Sequence, residues 1–175
     1  MHDEVTLYLV RHGRATGNQT DAPLSTVGVT QSEQLADDLA SMGSLHVDQL
    51  ISSPYLRAWQ TAQIIEKRLN LKLEPAEIRL REQGVPGIDK EESAQEVSTR
   101  VVAFTNELLN SGGQTFLLVS HRLTLTLLLQ HYVPDFTDQQ GEQMTNPDLY
   151  ELRFKNGTAR QRRLWSPEAH HLIET

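Results

Sequence analysis

The chain has 175 residues, 38% of them hydrophobic and 22% charged, with a formal net charge of −7 at pH 7 and no cysteine. Such a length and composition predict one globular domain over 1–175 with a substantial core. The acidic balance disfavours general affinity for nucleic acid or an anionic membrane, and the lack of cysteine excludes disulfides, thiolate nucleophiles and cysteine-ligated metals.

The chain opens on Met1-His2-Asp3-Glu4, which lacks the charged-then-apolar pattern of a signal peptide. No stretch approaches the ~18 apolar residues of a membrane span, so a cytoplasmic location is expected. Residues 5–10 read as a buried strand. It delivers Arg11-His12-Gly13 at its C-terminal end, where open α/β sheets bind ligands. Gly13 is expected to let the backbone turn sharply. Leu24-Ser25-Thr26-Val27-Gly28 then starts a helix capped by Ser25 or Thr26, carrying Leu35, Leu39 and Met42 and ending near Gly43.

A second strand is predicted over 46–51. After Ser52-Ser53-Pro54, a helix over 55–69 presents Tyr55, Trp59, Ala62, Ile65 and Leu69 on one side. A short strand over 71–75 is expected next. The helix over 93–110 shows a stripe of Val97, Val101, Phe104 and Leu108, stopped by Ser111-Gly112-Gly113. Residues 115–120 form another buried strand, and it too delivers a histidine, His121. Residues 122–132 alternate like a strand in Leu123-Thr124-Leu125-Thr126-Leu127, but their place after a buried strand favours a helix. The 133–147 segment reads as a loop. Residues 149–154 and 158–164 form a hairpin turning at Asn156-Gly157.

This alternation predicts an α/β fold, a three-layer α/β/α sandwich around a mostly parallel sheet with antiparallel strands at an edge. In such a sheet the ends that carry His12 and His121 share one rim. Each histidine has an arginine neighbour, Arg11 and Arg122, and Arg57 lies in the first turns of a helix starting at that rim. Guanidinium forks and imidazoles of this kind suit the oxygens of a phosphate.

Several ordered motifs carry a resemblance. Val10-Arg11-His12-Gly13, Asn18, Leu24-Ser25-Thr26-Val27-Gly28, the block from Ser52 to Ala62, Leu80-Arg81-Glu82-Gln83-Gly84 and Val119-Ser120-His121 together resemble the histidine phosphatase superfamily, which includes the phosphoglycerate mutases. The resemblance covers nearly the whole chain and implies a phosphoglycerate mutase-like fold. It implies that His12 attacks phosphorus in line to give a phosphohistidine, and that Arg11, Arg57 and His121 bind the phosphoryl oxygens. It makes Glu82 the proton donor to the leaving oxygen, although Glu91, Glu92 and Glu96 compete for that role on chemistry alone. Asn18 is implied as a phosphate contact.

Two departures add positive charge. Arg122 stands where the family usually has glycine, and Arg14 where small or acidic residues are usual. Both are read as substrate-binding candidates for an ester with a second anionic group. A third departure is length. Only 13 residues separate Glu82 from Glu96, too few for the long insertion that covers the site in the mutase branch. A mutase must shield its phosphorylated intermediate from water, so net hydrolysis is expected.

The expected activity is metal-independent phosphomonoester hydrolysis, without a cofactor, on a phosphorylated small molecule or a phosphoprotein. Phosphoglycerate mutase-type transfer, protein phosphohistidine phosphatase activity, metal-dependent hydrolysis and a silent phosphate-binding regulatory module are the alternatives. His2, His46, His131, His170 and His171 are assigned to the surface. Arg153, Arg160, Arg162 and Arg163 are assigned to a solvated edge-strand face.

Overall fold

Strand-forming residues at Glu4–Arg11 (β1) and Thr115–Ser120 (β3) pair in parallel at the centre of a five-stranded sheet. The computed structural model describes residues 4–43 and 45–168. Sheet order is β2-β3-β1-β4-β5, where β2 is Gln49–Ser52, β4 Asp148–Lys155 and β5 Thr158–Trp165. β2, β3 and β1 run parallel, and β4 and β5 add an antiparallel hairpin. The hairpin turns at Asn156 and Gly157, whose φ values of 51° and 76° suit the tight turn expected of Asn-Gly.

Side-chain alternation divides the core in two. Leu7, Leu9, Phe116 and Leu118 pack on one face with Val101, Phe104 and Leu108 of α3 (Ala94–Leu109) and Leu125, Leu128 and Leu129 of α4 (Arg122–Tyr132). Tyr8, Val10, Leu117 and Val119 pack on the other with Leu35 and Leu39 of α1 (Thr26–Ser41) and Ala58, Ala62 and Ile65 of α2 (Leu56–Leu69). This is a three-layer α/β/α sandwich. The period-2 pattern of the strands and the helical stripes therefore point at each other, as burial on both sheet faces requires.

One consequence positions the site. β1 and β3 are parallel neighbours, yet the helix following β1 packs on one face and the helix following β3 on the other. The chain thus diverges at the C-terminal ends of β1 and β3, and a crevice opens there. Such topological switch points are where open α/β sheets bind ligands.

Several elements differ from the sequence expectation. β2 begins at Gln49, because Asp48 instead accepts the backbone N–H groups of Gln114 (2.7 Å) and Thr115 (2.9 Å) and caps the start of β3. Residues 71–75 form only a single bridge, Leu50 to Leu73. Residues 122–132 are helical, and Thr124 and Thr126 are buried because their hydroxyls donate to the Arg81 and Arg122 carbonyls. In α2 the core face runs through Ala58, Thr61, Ala62 and Ile65, with Trp59 only half-buried. The 133–147 segment contains a short helix, α5 (Asp138–Glu142), with a Thr137/Gln140 capping box.

The arginines of the hairpin are not simply solvated. Arg163 pairs with buried Asp148, and Arg162 and Arg153 pair with buried Glu151. His46 and His131 are exposed, while His2, His170 and His171 lie outside the described residues. No helix among the described residues is long and apolar enough to cross a membrane.

Candidate active site

His12 follows β1 directly, and its backbone N–H donates to the Ser120 carbonyl at 3.1 Å, extending the β1–β3 ladder to the rim. His121 follows β3 and caps α4. The two imidazoles meet edge to face with ring centroids 4.9 Å apart. Both are buried, at 7% and 1% exposure.

Gly13 has a different role from the sharp turn expected. A Cβ there would lie 2.4 Å from Ser32 Oγ and 2.8 Å from the Gly28 carbonyl, and a Cβ at Gly28 would lie 2.0 Å from the Arg14 carbonyl. The two glycines let residues 13–14 lie against the first turn of α1. Gly13 N–H then donates to Thr61 Oγ1 of α2 at 3.0 Å, and Thr61 Oγ1 donates to the Arg57 carbonyl at 2.8 Å. Ser25, the N-cap of α1, donates its N–H to the Arg14 carbonyl at 2.8 Å. The backbone beneath His12 is thereby fixed from two helices.

Hydrogen bonds select the tautomer of His12. Its Nδ1 lies 2.6 Å from the Gly13 carbonyl, an acceptor only, so Nδ1 carries the proton. Arg57 Nε–H donates to Nε2 at 3.3 Å, so Nε2 holds a lone pair. Burial, then the charges of Arg57 and Arg11, push the His12 pKa down to about 3, against the Gly13 hydrogen bond. The ring is neutral across the physiological range. His121 is also held well below the usual imidazole value, by burial first and then by its cationic neighbours. Its Nε2 lies 2.8 Å from Ser53 Oγ, and its buried Nδ1 has no hydrogen-bond partner among the described residues.

The cations are aimed by backbone carbonyls. Arg57 Nη1 donates to the Gln19 carbonyl at 2.8 Å. Arg11 Nη1 donates to the Met144 carbonyl at 2.6 Å, and its buried Nε has no hydrogen-bond partner among the described residues. Burial, followed by repulsion from Arg122, lowers the Arg11 pKa to about 10. Glu82 sits at the N-terminus of α4. Its Oε1 accepts from Gln83 N (3.0 Å), Thr124 N (3.1 Å) and Thr124 Oγ1 (3.0 Å), and its Oε2 accepts from Leu123 N (3.1 Å).

Arg11, His12, Arg57, Glu82, Asn18, Arg14 and Arg122 all line one cleft of about 450 Å³; His121 is not among its lining residues but its ring contacts that of His12. Glu91, Glu92 and Glu96 do not line it. Glu92 is engaged by Arg81 (3.1 Å) and Arg100 (2.9 Å), and Glu91 and Glu96 are exposed. A larger groove of about 790 Å³ between α1 and α2 contains none of these groups. No cluster of three or more His, Asp or Glu fit to hold a metal ion occurs among the described residues.

Three further residues support the site without having been singled out in the sequence. Ser53 fixes His121. Tyr55 lines the cleft, stands edge-on to His121 at 5.1 Å and donates to Asp89 at 2.6 Å. Asn146 donates to the His12 carbonyl at 3.1 Å. Ser53 and Tyr55 had a signal in their nearness to Arg57. Asn146 had none, since its partner is 134 positions away.

The family model of the histidine phosphatase superfamily (branch 1) matches residues 7–86 and 78–166. A probable phosphoglycerate mutase of Yersinia pestis (strain Pestoides F) is 32% identical over 158 residues, covering 70% of this chain and 72% of that protein. One of Proteus mirabilis (strain HI4320) is 34% identical over 113 residues, 59% of this chain, and the match spans only 49% of that relative. A phosphoglycerate mutase structure from Bacillus anthracis (strain Sterne) superposes with a TM-score of 0.78 at 20% identity, covering 96% of each chain. The protein histidine phosphatase SixA superposes with a TM-score of 0.70 at 23% identity, covering 94% of this chain and 99% of its own. Motif, fold and match agree, and the chain belongs to the histidine phosphatase superfamily, branch 1.

Proposed function

We propose that this protein hydrolyses phosphate monoesters through a phosphohistidine on His12. The observation that carries the reading is the unprotonated Nε2 of His12, buried among Arg57, Arg11 and His121 at the floor of the cleft. A neutral imidazole fixed in one tautomer is a ready nucleophile. Substrate phosphoryl oxygens displace the Arg57 N–H from Nε2 and take up the guanidinium themselves. They also meet the unpartnered Arg11 Nε and His121 Nδ1. Nε2 then bonds to phosphorus as the P–O bond to the leaving group breaks, and the leaving oxygen takes a proton from Glu82. Oε1 of Glu82 already accepts the backbone N–H groups of Gln83 and Thr124 and Oε2 only that of Leu123, so Oε2 is the atom with room for the proton. Water next attacks phosphorus, Glu82 recovers the proton, the N–P bond breaks, and inorganic phosphate leaves.

The named relatives make phosphoglycerate mutase activity the competing reading. The segment after Glu82 speaks against it. Glu92 N–H donates to the Gly84 carbonyl and Gly84 N–H to Glu92 Oε1, each at 3.0 Å, closing residues 84–92 into a tight loop. A Cβ at Gly84 would lie 1.7 Å from the Lys90 carbonyl, so that closure requires glycine. Val85 and Ile88 of this loop line the cleft, but a segment so short and tied back on itself supports hydrolysis over the enclosure that a mutase needs to keep water from a phosphorylated intermediate.

Rapid quenching during turnover of a 32P-labelled ester tests the reading. The expected protein-bound label is stable in base and labile in acid, and it disappears in His12→Ala together with phosphate release. With 3-phosphoglycerate, release of phosphate is expected rather than 2-phosphoglycerate. Unlabelled protein, or full activity in His12→Ala, overturns the proposal.

A further inference from the structure

The cleft keeps a surplus of positive charge once a phosphoryl group has been accommodated. Four guanidinium groups line it, those of Arg11, Arg14, Arg57 and Arg122, against the single carboxylate of Glu82. A phosphoryl dianion together with Glu82 neutralises three of the four and leaves one net positive charge. The surplus sits in a chain whose overall charge is −7. Arg11 and Arg57 are committed to backbone carbonyls and to His12. The side chains of Arg14 and Arg122 have no hydrogen-bond or ion-pair partner among the described residues.

Their backbones are nonetheless fixed. The Arg14 carbonyl accepts from both Ser25 N–H (2.8 Å) and Ser25 Oγ (3.2 Å). The Arg122 carbonyl accepts from Thr126 Oγ1 at 2.7 Å. Each arginine is thus presented to the cleft from a rigid anchor. Arg122 is also placed at an electrostatic cost. It is the first residue of α4, where the helix dipole disfavours a cation, and it repels Arg11. The Glu82 carboxylate at the same helix start is hydrogen-bonded to Leu123 N–H and Thr124 N–H and not to the Arg122 side chain.

We infer that Arg14 and Arg122 form a second anion subsite, so that the preferred substrates are phosphate monoesters carrying an additional carboxylate or phosphate. This rests on the phosphomonoesterase reading for its catalytic half, but the subsite binds independently of turnover. The second anion occupies the outer cleft while the phosphoryl group lies on Arg11, Arg57 and His12. Charge-assisted contacts with a guanidinium are stronger than neutral ones when partly desolvated, and weaker at an exposed residue such as Arg14.

Two paired measurements test it. Hydrolysis of phenyl phosphate is compared with that of 3- and 4-carboxyphenyl phosphate, and binding of phenylphosphonate with that of 3- and 4-carboxyphenylphosphonate. At least one carboxylated compound is expected to be preferred by ~10-fold in kcat/KM and in Kd, with the preference shrinking as salt is raised. The ratio within each variant is the readout. It falls to near one in Arg14→Gln/Arg122→Gln, is partly retained in Arg14→Lys/Arg122→Lys, and is unchanged in Arg160→Gln, an exposed arginine of β5. A ratio near one in the wild type, or a ratio that survives the double Gln substitution, overturns the subsite. If no ester is hydrolysed but the phosphonate preference is present and lost in the double Gln variant, the subsite stands and the hydrolase reading falls.

Discussion

Arg57 Nε lies 3.3 Å from His12 Nε2, so a permanent cation donates into the lone pair of the ring nitrogen that faces the cleft. Protonating that nitrogen would remove the hydrogen bond and set two positive groups against each other in a buried space. This relationship adds to the burial that holds His12 neutral down to a pKa of about 3.

The stability consequence has a definite sign. In the unfolded chain His12 takes up a proton near pH 6.5, but in the folded protein only near 3. Below pH 6.5 the unfolded state binds more protons, so stability falls as pH falls, by about 1.4 kcal/mol per unit for each such histidine, and levels off below 3. His12→Asn lacks this proton. Relative to wild type, the variant is expected to gain about 2 kcal/mol between pH 7 and pH 5. Urea unfolding of both proteins at pH 7, 6 and 5 measures the difference, and parallel curves would refute it. For the same reason the acid limb of kcat/KM is not set by His12 but by ionisation of the substrate phosphate, near pH 6.

Ser53 Oγ pairs with His121 Nε2 at 2.8 Å and accepts from Tyr55 N–H at 3.2 Å. When the Ser53 hydroxyl donates to Nε2, the imidazole proton sits on Nδ1, the tautomer that the proposed phosphoryl contact requires. In Ser53→Ala that tautomer is no longer selected. A roughly 10-fold fall in kcat/KM is expected, with about 1 kcal/mol lost in stability. Steady-state kinetics and thermal unfolding on one preparation separate the two effects, and unchanged kcat/KM alongside a lowered Tm would reduce Ser53 to a structural role.

Glu82→Gln tests proton donation through the leaving group. A good leaving group departs without a proton, whereas an alkoxide does not. The variant is expected to hydrolyse 4-nitrophenyl phosphate within a few-fold of wild type, but to lose ~10²–10³ in kcat on β-glycerophosphate. Equal losses on both esters would show that Glu82 only positions α4, through Leu123 N–H and Thr124 N–H.

What the sequence reveals is what local pattern and topology control. The runs before the two histidines are dominated by apolar residues that do not alternate with polar ones (Leu7 to Val10 and Phe116 to Val119), which marks strands buried on both faces. Such strands pair in parallel within α/β sheets, and that alone brings both histidines to one rim. Contacts closed by the tertiary fold were not readable. Asn146 reaches His12 only because β4 folds back beside β1, whereas Asp148 meets Arg163 across the β4–β5 hairpin. Gly13 was legible as necessary but for the wrong reason, because the close approach of α1 is a packing fact and not a turn signal. The Leu-Thr alternation at 123–127 misleads because hydrogen bonding allows threonine to be buried inside a helix.

Arg163 is expected to matter to the site although it lies outside the cleft. Its guanidinium donates to Asp148 Oδ1 at 3.1 Å and Oδ2 at 2.5 Å, and Asp148 Oδ2 accepts from Thr145 N–H at 2.8 Å. The Met144 and Thr145 carbonyls in turn receive Arg11 Nη1 at 2.6 and 3.5 Å. Burial raises the Asp148 pKa and Arg163 opposes that rise. Arg163→Met leaves a carboxylate that is 1% exposed without its cation, costing about 2–3 kcal/mol at pH 7. Asp148 then holds its proton more tightly when folded than when unfolded. The cost of the unpaired Asp148 therefore falls as pH is lowered from 7 toward 5, and the deficit of the variant against wild type shrinks. Asp148→Asn/Arg163→Met removes the unpaired charge and is expected to be more stable at pH 7 than Arg163→Met alone. A double-mutant cycle by urea unfolding at pH 7 and 5 measures both effects. With the 144–145 carbonyls loosened, Arg11 loses its aim, and kcat/KM in Arg163→Met is expected to fall roughly 10-fold, chiefly through KM.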